Sequence, residues 1–275
     1  MTPEETYLFD LNGYLILRKV LPPNLVNELN RELDKLEALS DSEICAKGLT
    51  RSYYPDEPDS STGCRDYSCT LLKYGGVFEQ LIDWPTVLPY MEAMISVPIR
   101  IDALHLLSRC PGRATVFHHG YSELLSYSEF ACNRSRFECV SVKVGYALTD
   151  VDVHEGAFAV IPGSHKGNYA SPQHLENPDE NHPLVQTCPC RAGDAVIFSE
   201  DLTHGAVQNR SRKIRRTIFA SYAPSFQAAW DDQIETAPGF EERATPRQLE
   251  LVQGPPPFDS APGFNLSPFR ASESG

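Results

Sequence analysis

The chain's eight histidines are its best transition-metal ligands, and their spacing decides which metal chemistry is open. A site of two imidazoles and one carboxylate holds iron on one face and leaves the remaining positions for a co-substrate and oxygen. On a β-strand that ligand pair takes the form His-x-Asp or His-x-Glu, because alternate residues point to the same side. Only His174, in "HLE", has a carboxylate two positions on, Glu176. The pair stands in the polar run "NYASPQHLENPDENHPL", which reads as a loop, where a solvated His and Glu is the ordinary outcome. The segment "TVFHHGYSELL" (residues 115–125) sets His118 and His119 before Gly120, with Glu123 the next carboxylate. His204, in "FSEDLTHGAVQNRSRKIRRTIFASY", is the strongest single candidate, standing between two strand-like runs. The second run carries Arg215 and Arg216, which face opposite sides of a strand, so only one can grip an internal anion through its guanidinium. Spacing alone leaves that choice even.

The elements that must hold these residues are legible in outline. From Pro22 to Leu39 the apolar residues Leu25, Val26, Leu29, Leu33 and Leu36 recur at helical spacing, after a short β-like run "GYLILRKVL". Residues 40–80 read as loop, and a second helical stretch covers Gly76 to Met94. From Thr115 onward short β segments alternate with turn residues. "ECVSVKVGYAL" sets Val140, Val142, Val144, Tyr146 and Leu148 on one face and Cys139, Ser141, Lys143, Gly145 and Ala147 on the other. Lys143 is the one charge on that small face and is a candidate contact for an anionic substrate or co-substrate, or a lysine reaching to the rim. His165, in the turn "PGSHK", reads as structural, and His154 with Glu155 as solvated. After Trp230 the chain is proline-rich and reads as irregular.

Helices first and short strands after them predict an α+β chain with a β-sandwich or barrel core. Residues 1–230 read as one domain, with a core over about 100–225, followed by a partly disordered Pro-rich extension, 231–275. A net charge of −13 argues against nucleic acid or an anionic membrane surface as partner. The N-terminus is acidic where a signal peptide is basic, and no apolar run of about 18 residues occurs, so a cytoplasmic protein is expected. Eight cysteines without a CxxC motif are expected as free thiols there. No Gly-rich phosphate loop is present.

Three stretches give the chain a family resemblance over roughly residues 5–225: "FDLNGYLILRKVLPPNLVNEL", "LTDVDVHEGAFAVIPGSHKGN" and "RAGDAVIFSEDLTHGAVQNRSRKIRRTIFASYAP". It resembles the phytanoyl-CoA dioxygenase-like Fe(II)/2-oxoglutarate oxygenases. The resemblance implies a double-stranded β-helix, a jelly-roll or cupin-like core with N-terminal flanking helices, and Fe(II) and 2-oxoglutarate as cofactors. It implies His204 as the distal ligand and favours Arg215 over Arg216 as the 2-oxoglutarate anchor. His118 then fits as the proximal ligand, with His119 as the alternative one register step away. The usual carboxylate is replaced by Gly120, as in a subgroup with His-x-Gly. In related halogenases such a replacement opens a position for chloride; the other implied outcomes are a water, a third ligand borrowed from Glu123, or lost activity. Three functions follow for a small-molecule partner: hydroxylation as the default, halogenation as the alternative, and a catalytically silent binding module as the rival.

Overall fold

Thr2 and Glu5 each bond the other's backbone N–H and start helix α1 (Pro3–Asn12), which Gly13 ends in a left-handed conformation at φ 80°. The computed structural model describes residues 1–54, 66–119, 132–133, 136–167, 169, 171–227 and 234–253. Strand β1 (Tyr14–Leu17) leads into α2 (Pro23–Glu37), whose stripe Leu25, Val26, Leu29, Leu33 and Leu36 is buried as its spacing predicts.

The described parts of the segment expected as loop, residues 40–54 and 66–80, contain regular elements. Ser40 and Glu43 form a second capping box and start α3 (Asp41–Ala46), and β2 (Arg51–Tyr54) and β3 (Asp66–Thr70) pair at a sheet edge. The helical stretch expected over Gly76–Met94 is two pieces, a 3-10 turn Gly76–Leu81 and α4 (Leu88–Ile95). Pro85, between them, removes an N–H and disfavours helix in the residue before it.

The strands that follow are β4 (Ile99–Arg109), β5 (Thr115–His118), β6 (Cys132–Asn133), β7 (Arg136–Phe137), β8 (Val142–Ala147), β9 (Phe158–Val160), β10 (Gln186–Cys188), β11 (Ala195–Ser199), β12 (His204–Ala206) and β13 (Arg215–Pro224). Two short helices, α5 (Phe240–Arg243) and α6 (Pro246–Val252), lie in the region expected as irregular. Thr245 and Gln248 cap α6, Gln248 donates to the Glu79 carbonyl and the Asp83 carboxylate, and Leu251 is fully buried. A capping box inside a proline-rich run is a weak signal in sequence, because the packing that stabilises so short a helix comes from elsewhere in the chain.

The strands form two antiparallel sheets of order β1-β11-β8-β13-β4-β3-β2 and β10-β9-β12-β5, with β6 and β7 paired by themselves. One face of the large sheet carries Val142, Val144, Tyr146, Ile218, Ala220 and Tyr222, packed in a single core with the buried residues of α1, α2, α4, α5 and α6. The other face meets the small sheet through Ala147, Val160, Cys188, Cys190, Val196, Phe198 and Phe219. The two-residue period of β8 and β13 therefore divides each strand between a helix-covered core and the inter-sheet space.

Cys45, Cys69, Cys139, Cys188 and Cys190 are free thiols, but Cys110 is disulfide-bonded, against the expectation of thiols throughout. Among the described residues no helix is long and apolar enough to cross a membrane.

Candidate active site

The inter-sheet space contains a cavity of about 110 Å³ lined by His105, Leu107, Arg109, Thr115, His118, Lys143, Phe158, Phe198, His204, Gly205, Arg215 and Phe219. Strand pairing assembles it. In the small sheet His204 of β12 stands directly across from His118 of β5, and their ring centroids are 4.3 Å apart. Gly205 permits this approach, since a Cβ there would lie 2.6 Å from the Thr115 carbonyl oxygen, which belongs to backbone.

Each imidazole is oriented by the backbone carbonyl two residues before it. The His118 Nδ1–H donates to the Val116 carbonyl at 3.0 Å and the His204 Nδ1–H to the Leu202 carbonyl at 2.7 Å. This fixes the tautomer and turns both Nε2 atoms away from the backbone, the arrangement by which protein imidazoles are presented to a metal. His204 is buried against Phe158 and Phe198, and burial, with the charges of His118 and Lys143 adding to it, holds its pKa well below the ordinary range. His119 does not line the cavity.

On the large sheet, Arg215 and Arg216 part as the strand geometry requires. Arg215 is buried, lines the cavity, and donates to the Gly156 carbonyl. Arg216 turns to the helix side and pairs with Glu37 and Asp34 of α2. Lys143 lines the cavity and its Nζ lies 2.7 Å from Glu200 Oε1. Phe219 lies over Gly145, where a Cβ would come within 2.8 Å of its ring.

The "HLE" pair does not reach this cavity. His174 and Glu176 are exposed, and Glu176 contributes only its carbonyl, which accepts from the Phe117 N–H at 2.7 Å. Gly120 and Glu123 lie outside the described residues. Among the described residues no set of three His, Cys, Asp or Glu side chains converges as a metal site.

The sequence reading did not single out Arg109, Thr115, His105 or Glu200 for a role. Arg109 becomes visible only through its cross-strand pairing with Arg215, and His105 through its stacking on Phe219 at 5.8 Å. Glu200 continues the inward parity of Val196 and Phe198, a signal available in "AVIFSE" once the strand's inner face is chosen.

Residues 111–217 match the family model "Phytanoyl-CoA dioxygenase (PhyH)". The dioxygenase cdmD of Talaromyces verruculosus is 29% identical over 154 residues, 55% of this chain and 48% of the relative. The chain thus spans about half the length of that relative. The dioxygenase trt7 of Aspergillus terreus is 25% identical over 248 residues, covering 88% of this chain and 80% of its own. The solved structure of HygX from Streptomyces hygroscopicus with nickel and 2-oxoglutarate superposes with a TM-score of 0.66 at 24% identity, over 84% of this chain and 89% of that one. That likeness shows a jelly-roll fold. The family match and the relatives support a dioxygenase.

Two histidines near this core make stability depend on pH. Burial pushes the pKa of His105 down to about 4, with Lys143 adding to the shift, and burial likewise pushes His165 to about 4. His165 sits against Gly13 and its Nε2–H donates to the Asp10 carbonyl at 3.1 Å. Both rings are neutral in the folded protein but titrate near 6.5 when unfolded, so below about pH 6.5 the unfolded chain binds more protons. Stability is therefore full above about pH 6.5 and falls as the pH drops toward 4, by about 2 kcal/mol per histidine at pH 5. Denaturant titrations of metal-free protein at pH 7 and pH 5 check this. His165→Gln, which retains an N–H donor, is expected to reduce the pH dependence, and an unchanged slope in that variant counts against the assignment.

Proposed function

We propose that the chain is a non-haem Fe(II)/2-oxoglutarate-dependent oxygenase that hydroxylates an unactivated C–H bond of a small molecule, releasing succinate and CO2. The observation that carries this reading is the cross-strand pairing of His118 with His204 in one cavity with Arg215. His118 and His204 hold the metal through Nε2, since each Nδ1–H is already given to a backbone carbonyl. The low pKa of His204 suits this role, because a neutral imidazole keeps its lone pair for a metal. Arg215 grips the far carboxylate of 2-oxoglutarate, and the Phe158, Phe198 and Phe219 side chains keep water from the reacting end of the site. When bound, the metal and 2-oxoglutarate supply the oxidising chemistry; the chain's own residues bind, orient and exclude water. The expected surroundings are the cytoplasm and the partner a small molecule rather than nucleic acid or membrane.

A second reading, halogenation, is favoured by one specific feature: Gly120 stands in sequence where a His-x-Asp site has its carboxylate. In that case the site would take chloride as well as the metal, whereas a carboxylate supplied by Glu123 as a third ligand would leave no place for it.

The test of the main reading is succinate release from 2-oxoglutarate by purified protein with Fe(II) and ascorbate, measured without any added substrate. Slow, metal-dependent succinate formation is expected. Binding of 2-oxoglutarate without turnover would instead leave the silent binding module. X-ray absorption of the iron-loaded protein with and without chloride separates halogenation, which requires an Fe–Cl scattering shell, from hydroxylation.

A further inference from the structure

The inter-sheet space holds a second, smaller cavity of about 30 Å³, and two thiols line it, Cys188 and Cys190. That volume is about the share of one water molecule in the liquid, so the cavity takes a single ion and excludes an organic ligand. Strand geometry puts both sulfurs there. Cys188 ends β10 and pairs with Phe158 of β9. Cys190 forms an antiparallel bridge with Val151, accepting from the Val151 N–H at 2.8 Å and donating its own N–H to the Val151 carbonyl at 3.0 Å. Residues two apart in an extended run share a side, and both thiols are buried between the sheets. The Cys190 S–H donates to the Cys188 carbonyl at 3.5 Å. Both cysteines are free, and burial pushes the Cys190 thiol up to about 11 and raises the Cys188 thiol as well, so neither is an exposed thiolate nucleophile. The ionisable groups whose charge reaches them are Arg18, Arg215, Asp194 and Tyr14. Arg18 donates to the Pro189 carbonyl at 3.0 Å and to Asp194 at 2.7 Å, and so sits over the turn between the two cysteines.

We propose that Cys188 and Cys190 form a binding site for Cu(I), held between their two sulfurs. Soft thiolate ligands select Cu(I), which is satisfied by two of them, whereas a structural Zn(II) asks for four ligands. Among the described residues no set of three His, Cys, Asp or Glu side chains converges, so a two-ligand ion is the one that fits. On binding, two S–H bonds break, two S–Cu bonds form and two protons leave to solvent, while the copper keeps its oxidation state. The product carries one negative charge beside the Arg215 and Arg18 guanidinium groups, which favour it. The site itself does not depend on the oxygenase reading. Its consequence does: Arg215 lines this cavity and also the one holding His118 and His204, so the anion at the thiols competes with 2-oxoglutarate for one guanidinium.

The test is an anaerobic titration of the full chain with Cu(I) in competition with the chelator bathocuproine disulfonate. One tightly bound ion per chain, a shell of two sulfurs in X-ray absorption and the release of two protons are expected. Cys188→Ser and Cys190→Ser should each weaken binding by more than about 100-fold, since a direct ligand is worth more than the groups behind one. Cys188→Ala and Cys190→Ala, which bury no hydroxyl, repeat the measurement with thermal midpoints as the check on folding. Cys45→Ser, at an exposed thiol, should leave the affinity unchanged. No bound copper, a shell of nitrogen or oxygen, or full affinity in the Cys188 and Cys190 variants overturns the site. In calorimetry on the Mn(II)-loaded protein, bound Cu(I) is expected to weaken 2-oxoglutarate about tenfold, the size of one hydrogen bond to a charged group. An unchanged 2-oxoglutarate affinity with copper in place overturns the coupling through Arg215. Failure of the copper-free Mn(II) protein to bind 2-oxoglutarate overturns the oxygenase reading instead, and the copper measurements stand apart from that outcome.

Discussion

Replacing His204 by alanine is expected to weaken Fe(II) binding by more than about 100-fold and to abolish succinate formation, with the fold intact. The expected size exceeds the roughly 10–100-fold lost when groups behind a metal ligand are removed, because here a ligand itself is lost. The ring is buried between Phe158 and Phe198, so its removal also leaves a void, and some stability loss accompanies the change. His204→Gln keeps most of the volume and separates the two effects. His118→Ala should match the loss of metal with a smaller cost in stability, since His118 is exposed. His119→Ala, outside the cavity lining, should retain the metal. Metal content after dialysis, thermal midpoint and succinate release are the three measurements. Full metal retention in both the His118 and His204 variants would sink the assignment.

Arg215 and Arg216 make a second contrast of comparable size. Arg215→Ala removes a guanidinium from the cavity and is expected to raise the dissociation constant of 2-oxoglutarate by roughly a hundredfold or more. That corresponds to about 3 kcal/mol, the sum of two charge-assisted hydrogen bonds at the low end of their range. Arg215→Lys retains the charge without the planar fork and should recover only part of the loss. Arg216→Ala should leave 2-oxoglutarate affinity within about twofold and lower stability instead. Its guanidinium joins β13 to Glu37 and Asp34 of α2, and Glu37 is left partly buried without that partner. Calorimetry on the Mn(II)-loaded protein and denaturant unfolding report the two effects separately. If the two arginines exchange these phenotypes, the co-substrate end of the cavity is wrongly assigned.

The same adjacent pair shows how far local pattern reaches. A strand's two-residue period already states that Arg215 and Arg216 cannot share a face, and it places Lys143 opposite Val142 and Val144. Which face is the cavity is a property of the whole sheet, decided by helices α2 and α4 covering one side. Helix α2 was legible because its apolar stripe repeats over fifteen residues. Helices α3 and α6 were not, since each is short and is held by a capping box and by packing against distant residues. The Cys110 disulfide was not legible either, because the spacing of cysteines does not state which come together.

By itself the sequence determined the residue types available for the site, the parity of β8 and β13, and the split between α2 and the β-rich remainder. Its motifs supplied the resemblance that selected His118, His204 and Arg215. Tertiary structure decided three things: the cross-strand meeting of His118 with His204, the pairing of Arg109 with Arg215, and the burial of Glu200 beside Lys143. The physical reason is range. Parity and capping are set by neighbours a few positions apart, whereas these three contacts join residues brought together only when both sheets form and close on one another.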